Sequence, residues 1–106
     1  MYLSDLEKKA IAKVLLEIMN ADDQVVTNES LTMLDLQSKL GISMDQVMAA
    51  KNLNAYTCLE TISEMSAEKK ALVVVAMHRM ILADGKEHPE EIKIFNTVCQ
   101  LGQIHF

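Results

Sequence analysis

Apolar residues recur at helical spacing through most of the 106-residue chain. A Ser4–Glu7 capping box predicts the start of a first helix. Helical spacing of Leu6, Ala10, Val14 and Ile18 continues it to a predicted end near Met19. Similar patterns predict five more helices. The second is capped by Thr27 or Asn28, has Leu31, Leu34 and Leu36 among its apolar positions, and ends at Leu40-Gly41. The others run from Ser43 to Ala50, after Asn54, from Ala67 to Leu82, and from Pro89 to Leu101-Gly102. The segment ALVVVAM (71–77) is apolar on nearly every side, which predicts that the fifth helix is the central buried one. The expected fold class is therefore all-α, a compact bundle of about six helices.

Several short words of the sequence occur twice in the same order. EKKAI at Glu7 returns as EKKAL at Glu68, and Leu40-Gly41 returns as Leu101-Gly102 with the same shift. The Ala-Asp loops repeat with a shift that is longer by one position, from Asp22 to Asp84, which a one-residue slip in the flanking helices would explain. These matches predict one domain, residues 1–106, built from two duplicated helix–acidic loop–helix hairpins at about 4–41 and 66–102. Two such hairpins can pack about a pseudo-twofold axis and share one core.

The charge of the chain narrows its choice of partners. Ten basic and fifteen acidic residues give a net charge of −5. Phosphate neutralisation dominates nucleic-acid binding, so we expect no nucleic-acid partner. The N-terminus lacks a signal peptide, and the run 71–77 is far shorter than the ~20 residues that span a bilayer, so we expect a cytoplasmic protein without direct membrane insertion.

The cysteine and methionine residues are more typical of a packed core than of a redox, metal or binding site. Cys58 and Cys99 lie far apart and form no CxxC pair, so they are expected to be buried free thiols in a reducing compartment. The chain has eight Met residues, which are typical of core filling in helical proteins. Whether Met33, Met44 and Met48 belong to the core or to an exposed groove is left open.

The two acidic loops share the pattern A-D-x-x-x-x-x-x-E, in which Asp22 precedes Glu29 and Asp84 precedes Glu91. In a structural interpretation, each Asp binds loop amides and each Glu meets the free N–H groups of the next helix. Gly85 supplies a positive φ for the tight turn, and Asp23 stands at the corresponding position of the first loop. The motif would then fasten the end of one helix to the start of the next.

A second interpretation is cation binding. Asp-Gly-x-x-x-x-x-Glu matches the second half of an EF-hand loop, and carboxylate oxygens at that spacing suit calcium. The first and third ligand positions of the second loop would fall on Met80 and Leu82, which excludes a standard EF-hand. A weak or shared divalent-metal site that uses Asp22, Glu29, Asp84 and Glu91 remains the alternative, and no cofactor is certain.

Nothing in the sequence forms a catalytic constellation, so we expect no enzyme. His88 lies among Glu87, Glu90 and Glu91, but zinc sites need three or four protein ligands and only one His is local. His78 follows the apolar segment and precedes Arg79, where a partly buried His with satisfied hydrogen bonds is expected.

At the acidic loops the chain resembles the TerB-like family, the tellurite-resistance proteins TerB and their relatives. Met80–Gly102 carries Ala-Asp-Gly, a short spacer, a helix-opening Glu and a final Leu-Gly; 18–41 is similar, with Asp23 in place of Gly. The resemblance implies a non-enzymatic bacterial protein of duplicated helical hairpins, linked to tellurite or general stress response. It also implies protein–protein contacts and metal linkage through the loops; the same module occurs in a membrane-associated J-domain cochaperone. We therefore expect an interaction module whose paired acidic loops form one face, for a protein partner or for a cation. A homo-oligomer is compatible with this expectation.

Overall fold

Six helices form the described part of the chain, and it contains no strand. The structure is a computed structural model that describes residues 2–21, 27–83, 85 and 88–105. The helices are α1 (Asp5–Met19), α2 (Thr27–Leu40), α3 (Met44–Ala50), α4 (Ala55–Ser63), α5 (Ala67–Ile81) and α6 (Pro89–Leu101). The predicted all-α fold class is confirmed, and the bundle measures 30 × 28 × 24 Å.

Local sequence signals explain most of the helix starts. Ser4 and Ser43 form full capping boxes with Glu7 and Gln46, in which each side chain accepts from the other residue's backbone N–H. The Asn54 side chain accepts from the N–H groups of Tyr56 and Thr57 at the start of α4. Thr27 is the first residue of α2 and not its cap, so the predicted cap position was wrong there.

The central helix is α1, which contacts all the other helices. Its buried residues include Ala10 and Ala12, whose small side chains let neighbouring helices approach closely. The Cys58 thiol on α4 lies 3.4 Å from the Ala10 carbonyl oxygen. The prediction that α5 is the central buried helix was wrong, because one of its faces is exposed and Val75 keeps 57% of its accessible surface.

Other apolar residues also lie outside the core. Leu31 and Leu34, which were expected among the apolar positions of α2, are 59% and 54% exposed, whereas Leu36 is buried. Met33 is a core residue, while Met44 and Met48 lie one turn apart on the surface of α3. The prediction that Cys58 and Cys99 are free and buried is confirmed.

None of the described helices combines the length and apolar character that a bilayer-spanning helix requires.

Candidate functional site

The two acidic loops leave their helices in the same way. After α1 the backbone N–H groups of Asn20 and Ala21 donate to Leu16 and Ile18, at 3.0 and 3.3 Å. After α5 the N–H groups of Leu82 and Ala83 donate to His78 and Met80, again at 3.0 and 3.3 Å. Ala21 and Ala83, which directly precede Asp22 and Asp84 in the sequence, therefore make equivalent hydrogen bonds to their preceding helices.

Each loop leads to a buried glutamate. Glu29 and Glu91 are the third residues of α2 and α6, and their relative exposures are 2% and 1%. Other charged residues of the described chain stay in contact with solvent, and Glu91 is among the largest side chains that are fully buried. Carboxylates are almost never buried to this extent unless cations or hydrogen-bond donors compensate the lost hydration. Burial therefore distinguishes Glu29 and Glu91 from the other charged residues of the described chain.

The remaining predicted loop residues divide into two groups. Asp22, Asp23 and Asp84 lie outside the described residues. Gly85 is described and has φ of +78°, the conformation for which a glycine was expected there, and a Cβ at this position would meet no described atom within 4 Å. Within the described ranges, no three His, Cys, Asp or Glu side chains gather into a group that could hold a metal ion.

Structural features of the two hairpins correspond at one constant offset, the one that takes Asp22 to Asp84 in the sequence. Ser66, the N-cap of α5, corresponds in this way to Ser4, the N-cap of α1, and both helices have 15 residues. The four buried positions of α2 (Glu29, Met33, Leu36, Gln37) map at the same offset onto those of α6 (Glu91, Phe95, Val98, Cys99). Glu29 and Glu91 are therefore equivalent in register. The repeated words EKKAI and EKKAL lie one residue out of this register, and duplication itself stays a prediction.

Ion pairs connect the two hairpins at separate places. Lys69 of α5 donates to both carboxylate oxygens of Glu7 of α1, at 3.0 and 3.1 Å. The Ser4 amide, together with the Lys69 ammonium, holds the pKa of Glu7 below its usual value. Arg79 of α5 donates to Asp35 of α2 at 2.7 Å, and Arg79 and Lys39 lower the pKa of Asp35. The first pair positions α5 against α1, and the second positions α5 against α2.

Among the residues that the structure describes, the histidines belong to no group of side chains that could hold a metal ion. His88 is the N-cap residue of α6, and its side chain makes no capping hydrogen bond. The ring of His78 stacks on Phe95 of α6 with centroids 4.7 Å apart and planes at 15°. His78 is nevertheless exposed, which corrects the expectation that it is partly buried.

The burial of the glutamates carries a sequence signal that the loop motif alone does not reveal. Each Glu begins a series i, i+4, i+7, i+8 whose other members face the core. A charged residue in that series stands on the apolar face of its helix, and helical periodicity places it inward.

Comparison with known proteins gives the fold and no activity. No protein-family model matches the chain, and no curated protein matches it. A crystal structure of a protein of unknown function from Porphyromonas gingivalis W83 is similar, with a TM-score of 0.83 and 23% sequence identity over 100% of this chain and 89% of that one. At this identity the likeness shows a shared fold alone.

Proposed function

We propose that this chain is a non-enzymatic helical module of the TerB-like type, whose two Asp…Glu loops bind a divalent cation, calcium being the first candidate. The observation that carries the proposal is the burial of Glu29 and Glu91 at equivalent positions of α2 and α6. The proposed ligands are Asp22, Glu29, Asp84 and Glu91.

Burial favours a cation over a docked protein at these loops. Side chains that are 2% and 1% exposed cannot serve as contact residues for a partner, whereas buried charged groups in proteins are paired or coordinate metal ions. Hard cations such as calcium take carboxylate and carbonyl oxygens. The sequence alone left cation binding and partner binding as alternatives for the acidic loops. Burial of the glutamates favours the cation, so a protein partner needs another surface.

The ligand count favours a loop-based site of modest affinity. Two carboxylates of each loop are proposed as ligands, whereas calcium takes six to eight oxygen ligands. Backbone carbonyls and water would complete the shell, so we expect dissociation constants in the range of extracellular-type calcium modules, about 10⁻⁴ to 10⁻³ M.

The cellular role in the proposal comes from the resemblance to TerB-like proteins. The Ala-Asp-Gly…Glu pattern and the all-helical fold support membership of that type, and tellurite or general stress response is the associated process. Growth of a tellurite-sensitive host that expresses the wild type, or Glu29→Gln with Glu91→Gln, tests this link. Equal protection by both proteins would show that the buried glutamates are not needed for tellurite or stress resistance. Absence of protection by the wild type would show that this resistance is not a function of the chain.

A metal titration tests the cation site directly. Calcium, magnesium, manganese and zinc are added separately to chelator-treated protein while backbone amide shifts are recorded. We expect saturable changes at residues 20–29 and 83–91 with at least one of these ions, and loss of the changes in one loop when its own Glu is replaced by Gln. Glu90→Gln, an exposed neighbour in the first turn of α6, is the matched control and should bind as the wild type does.

The competing role is that of a structural fastener. If the loops show no shifts up to several millimolar of every ion, the cation proposal is wrong and the Asp…Glu motif serves only to connect helices.

A further inference from the structure

One face of α5 is exposed along the whole length of the helix. Its members recur at alternating steps of three and four residues, and they are Glu68, Ala71, Val75, His78 and Leu82. This is the spacing of the a and d positions of a coiled coil, by which two helices pack along a common line. These five residues form the α5 seam.

The middle of the α5 seam is apolar although it faces solvent. Val75 keeps 57% of its accessible surface and Leu82 keeps 53%, and Ala71 is exposed as well. A helix that is apolar on nearly every side is ordinarily covered on every side. The fold of one chain covers the opposite face of α5, where Val73 and Met77 are buried. The uncovered seam therefore favours a second helix as its cover.

The order of residues in the seam is symmetric about position 73. Glu68 and His78 lie five positions before and after it, and Ala71 and Val75 lie two positions before and after it. A second α5 that runs antiparallel, with its own position 73 opposite this one, faces Glu68 with His78 and Ala71 with Val75, twice. A twofold-symmetric interface requires each contact to occur in both directions in this way.

This pairing matches side-chain size and hydrogen bonding. The small Ala71 side chain leaves room for the branched Val75 side chain of the second copy. The Glu68 carboxylate accepts hydrogen bonds, and an imidazole N–H of His78 donates one. A parallel arrangement would instead set Glu68 against Glu68 and Ala71 against Ala71, which brings like charges together and leaves a gap. The residues of the seam thus favour an antiparallel copy of the same helix.

The surface beside the seam leaves room for the second helix. A groove of about 440 Å³, open to solvent, lies between α5 and residues 103–105, and its α5 side includes Ala67, Ala71 and Val75. Val75 of the second copy lies level with Ala71 in the antiparallel arrangement, so its side chain meets this groove.

The charged groups of α5 beside the seam are engaged within their own chain. Three cationic side chains make such contacts: Lys69 with Glu7, Lys70 with the Gln103 carbonyl oxygen, and Arg79 with Asp35. Glu64, which follows α4, and His105, which lines the groove, also lie near the N-terminal half of α5. Glu64 adds negative charge on the side of Glu68, and Arg79 adds positive charge on the side of His78. The antiparallel order therefore brings unlike charges together at both ends.

We propose that α5 packs antiparallel against α5 of a second copy of this chain, with position 73 at the twofold axis and two Glu68–His78 contacts across it. The helix has 15 residues and is about 22 Å long, so the contact area is that of one helix pair. Because small interfaces are typical of transient complexes, we expect a weak, reversible dimer. The dimer uses none of the proposed cation ligands, so the two proposals stand or fall separately.

Sedimentation equilibrium of the whole chain in chelator-containing buffer, between about 20 µM and about 1 mM, measures the association. Backbone and methyl shifts recorded over the same concentrations locate it. We expect a monomer–dimer equilibrium, with concentration-dependent shifts at Ala71, Val75 and Leu82.

A charge at the centre of the seam tests the assignment of the surface. Val75→Lys should weaken dimerisation at least tenfold, whereas Met48→Lys, at a position of α3 that is 52% exposed, should leave it unchanged. Thermal melts show that each variant is folded.

An exchange of the polar residues tests both the partner and the direction. Glu68→Lys and His78→Glu should each weaken self-association at least tenfold, because each removes both Glu68–His78 contacts. An equimolar mixture of these two variants should associate as the wild type does, since one Lys–Glu and one His–Glu contact then cross the axis. The double variant, Glu68→Lys with His78→Glu, should dimerise by itself in an antiparallel pair, whereas a parallel pair would again oppose like charges.

Four results would overturn the proposal. They are a chain that stays monomeric up to about 1 mM, concentration-dependent shifts confined to another face, wild-type dimerisation by folded Val75→Lys, and no recovery of association in the mixture and the double variant. Binding of a different protein at the seam by a chain that is monomeric throughout would equally remove the second copy.

Discussion

Glu29 and Glu91 occupy the same position in two helices of equivalent register, and both are withdrawn almost completely from solvent. Each is the third residue of its helix, where a carboxylate faces free backbone N–H groups and the positive end of the helix dipole. The equivalence means that a property argued for one glutamate applies to the other.

We expect Glu29→Gln and Glu91→Gln to lower the free energy of unfolding by similar amounts in metal-free buffer, about 1–2 kcal/mol each. Gln keeps the shape of the side chain and removes the charge that the helix N-terminus stabilises. Urea unfolding measures both variants. Glu90→Gln, an exposed substitution in the same turn as Glu91, should change stability by less than about 0.5 kcal/mol. A large loss in one variant with none in the other would contradict the equivalence.

A second expectation concerns pH and the Glu7–Lys69 pair. The pKa of Glu7 is held below its usual value, so the ionised form is favoured in the folded protein. The stabilisation is therefore present above the unfolded pKa, near 4.5, and is lost as the pH falls through the lower folded value. We expect Glu7→Gln to cost about 0.5–1 kcal/mol at pH 7 and close to nothing near pH 3.

The capping role of Glu7 should survive in this variant, because Gln46 already performs it at the start of α3. Thermal melts of the wild type and Glu7→Gln between pH 3 and pH 7 give the difference at each pH. Glu60→Gln, on an exposed part of α4, controls for the general loss of one negative charge. A difference that is the same at both ends of the pH range would show that the charge of Glu7 does not stabilise the fold.

The helices were predictable from sequence because their signals are local. Capping boxes at Ser4 and Ser43 and apolar residues every three or four positions need no knowledge of the tertiary fold. Which helix lies at the centre of the bundle was harder to predict from the sequence. ALVVVAM looks more apolar than α1, yet α1 is central because Ala10 and Ala12 admit close neighbours, and hydropathy does not measure how near a neighbour can come.

The candidate site was predictable in part, because its loop motif is also local in the sequence. The loop motif pointed to Glu29 and Glu91, but their burial follows from the helical faces on which they stand and from what packs against those faces. A cleft between α1, α4 and α6, with Lys13, Glu17 and Lys93 among its lining residues, joins segments that are far apart in sequence, so no local pattern could indicate it.

Gly102 provides a third prediction, because its small size is required by packing and not by backbone conformation. Its φ is −82°, and a Cβ would lie 2.7 Å from the Val98 carbonyl oxygen and 2.9 Å from Cγ2 of the fully buried Ile62. We expect Gly102→Ala to cost about 1–3 kcal/mol and Gly102→Asn to cost more. Denaturant unfolding measures both.

Gly85 is the matched control, since it has a positive φ and open space around it. Gly85→Ala should cost about 1 kcal/mol, and Gly85→Asn should cost less, because Asn tolerates the left-handed region. The order of Ala and Asn is therefore opposite at the two glycines. The same order at both positions would refute the distinction between packing and conformation.

The last prediction concerns the ends of α2 and α6. Gly41 after α2 has φ of +69°, and Gln103, the residue in equivalent register after α6, has φ of +56°. Both precede an equivalent hydrogen bond, from Ile42 to Gln37 at 2.9 Å and from Ile104 to Cys99 at 2.8 Å. Gln103, and not Gly102, therefore performs the left-handed role of Gly41.

We expect Gln103→Gly to raise the free energy of unfolding by about 0.5–1 kcal/mol, because glycine removes the steric cost of the left-handed conformation. The Lys70 ammonium binds the backbone carbonyl of Gln103 at 2.9 Å, so this contact survives the substitution. Gly41→Gln should lower stability by about 1–2 kcal/mol at the equivalent position. Urea unfolding of the two variants compares them, with Gln100→Gly as a control inside α6, where glycine should instead destabilise by about 1 kcal/mol. A loss of stability in Gln103→Gly would mean that its side chain contributes more than the strained backbone costs, and would end the equivalence of the two helix ends.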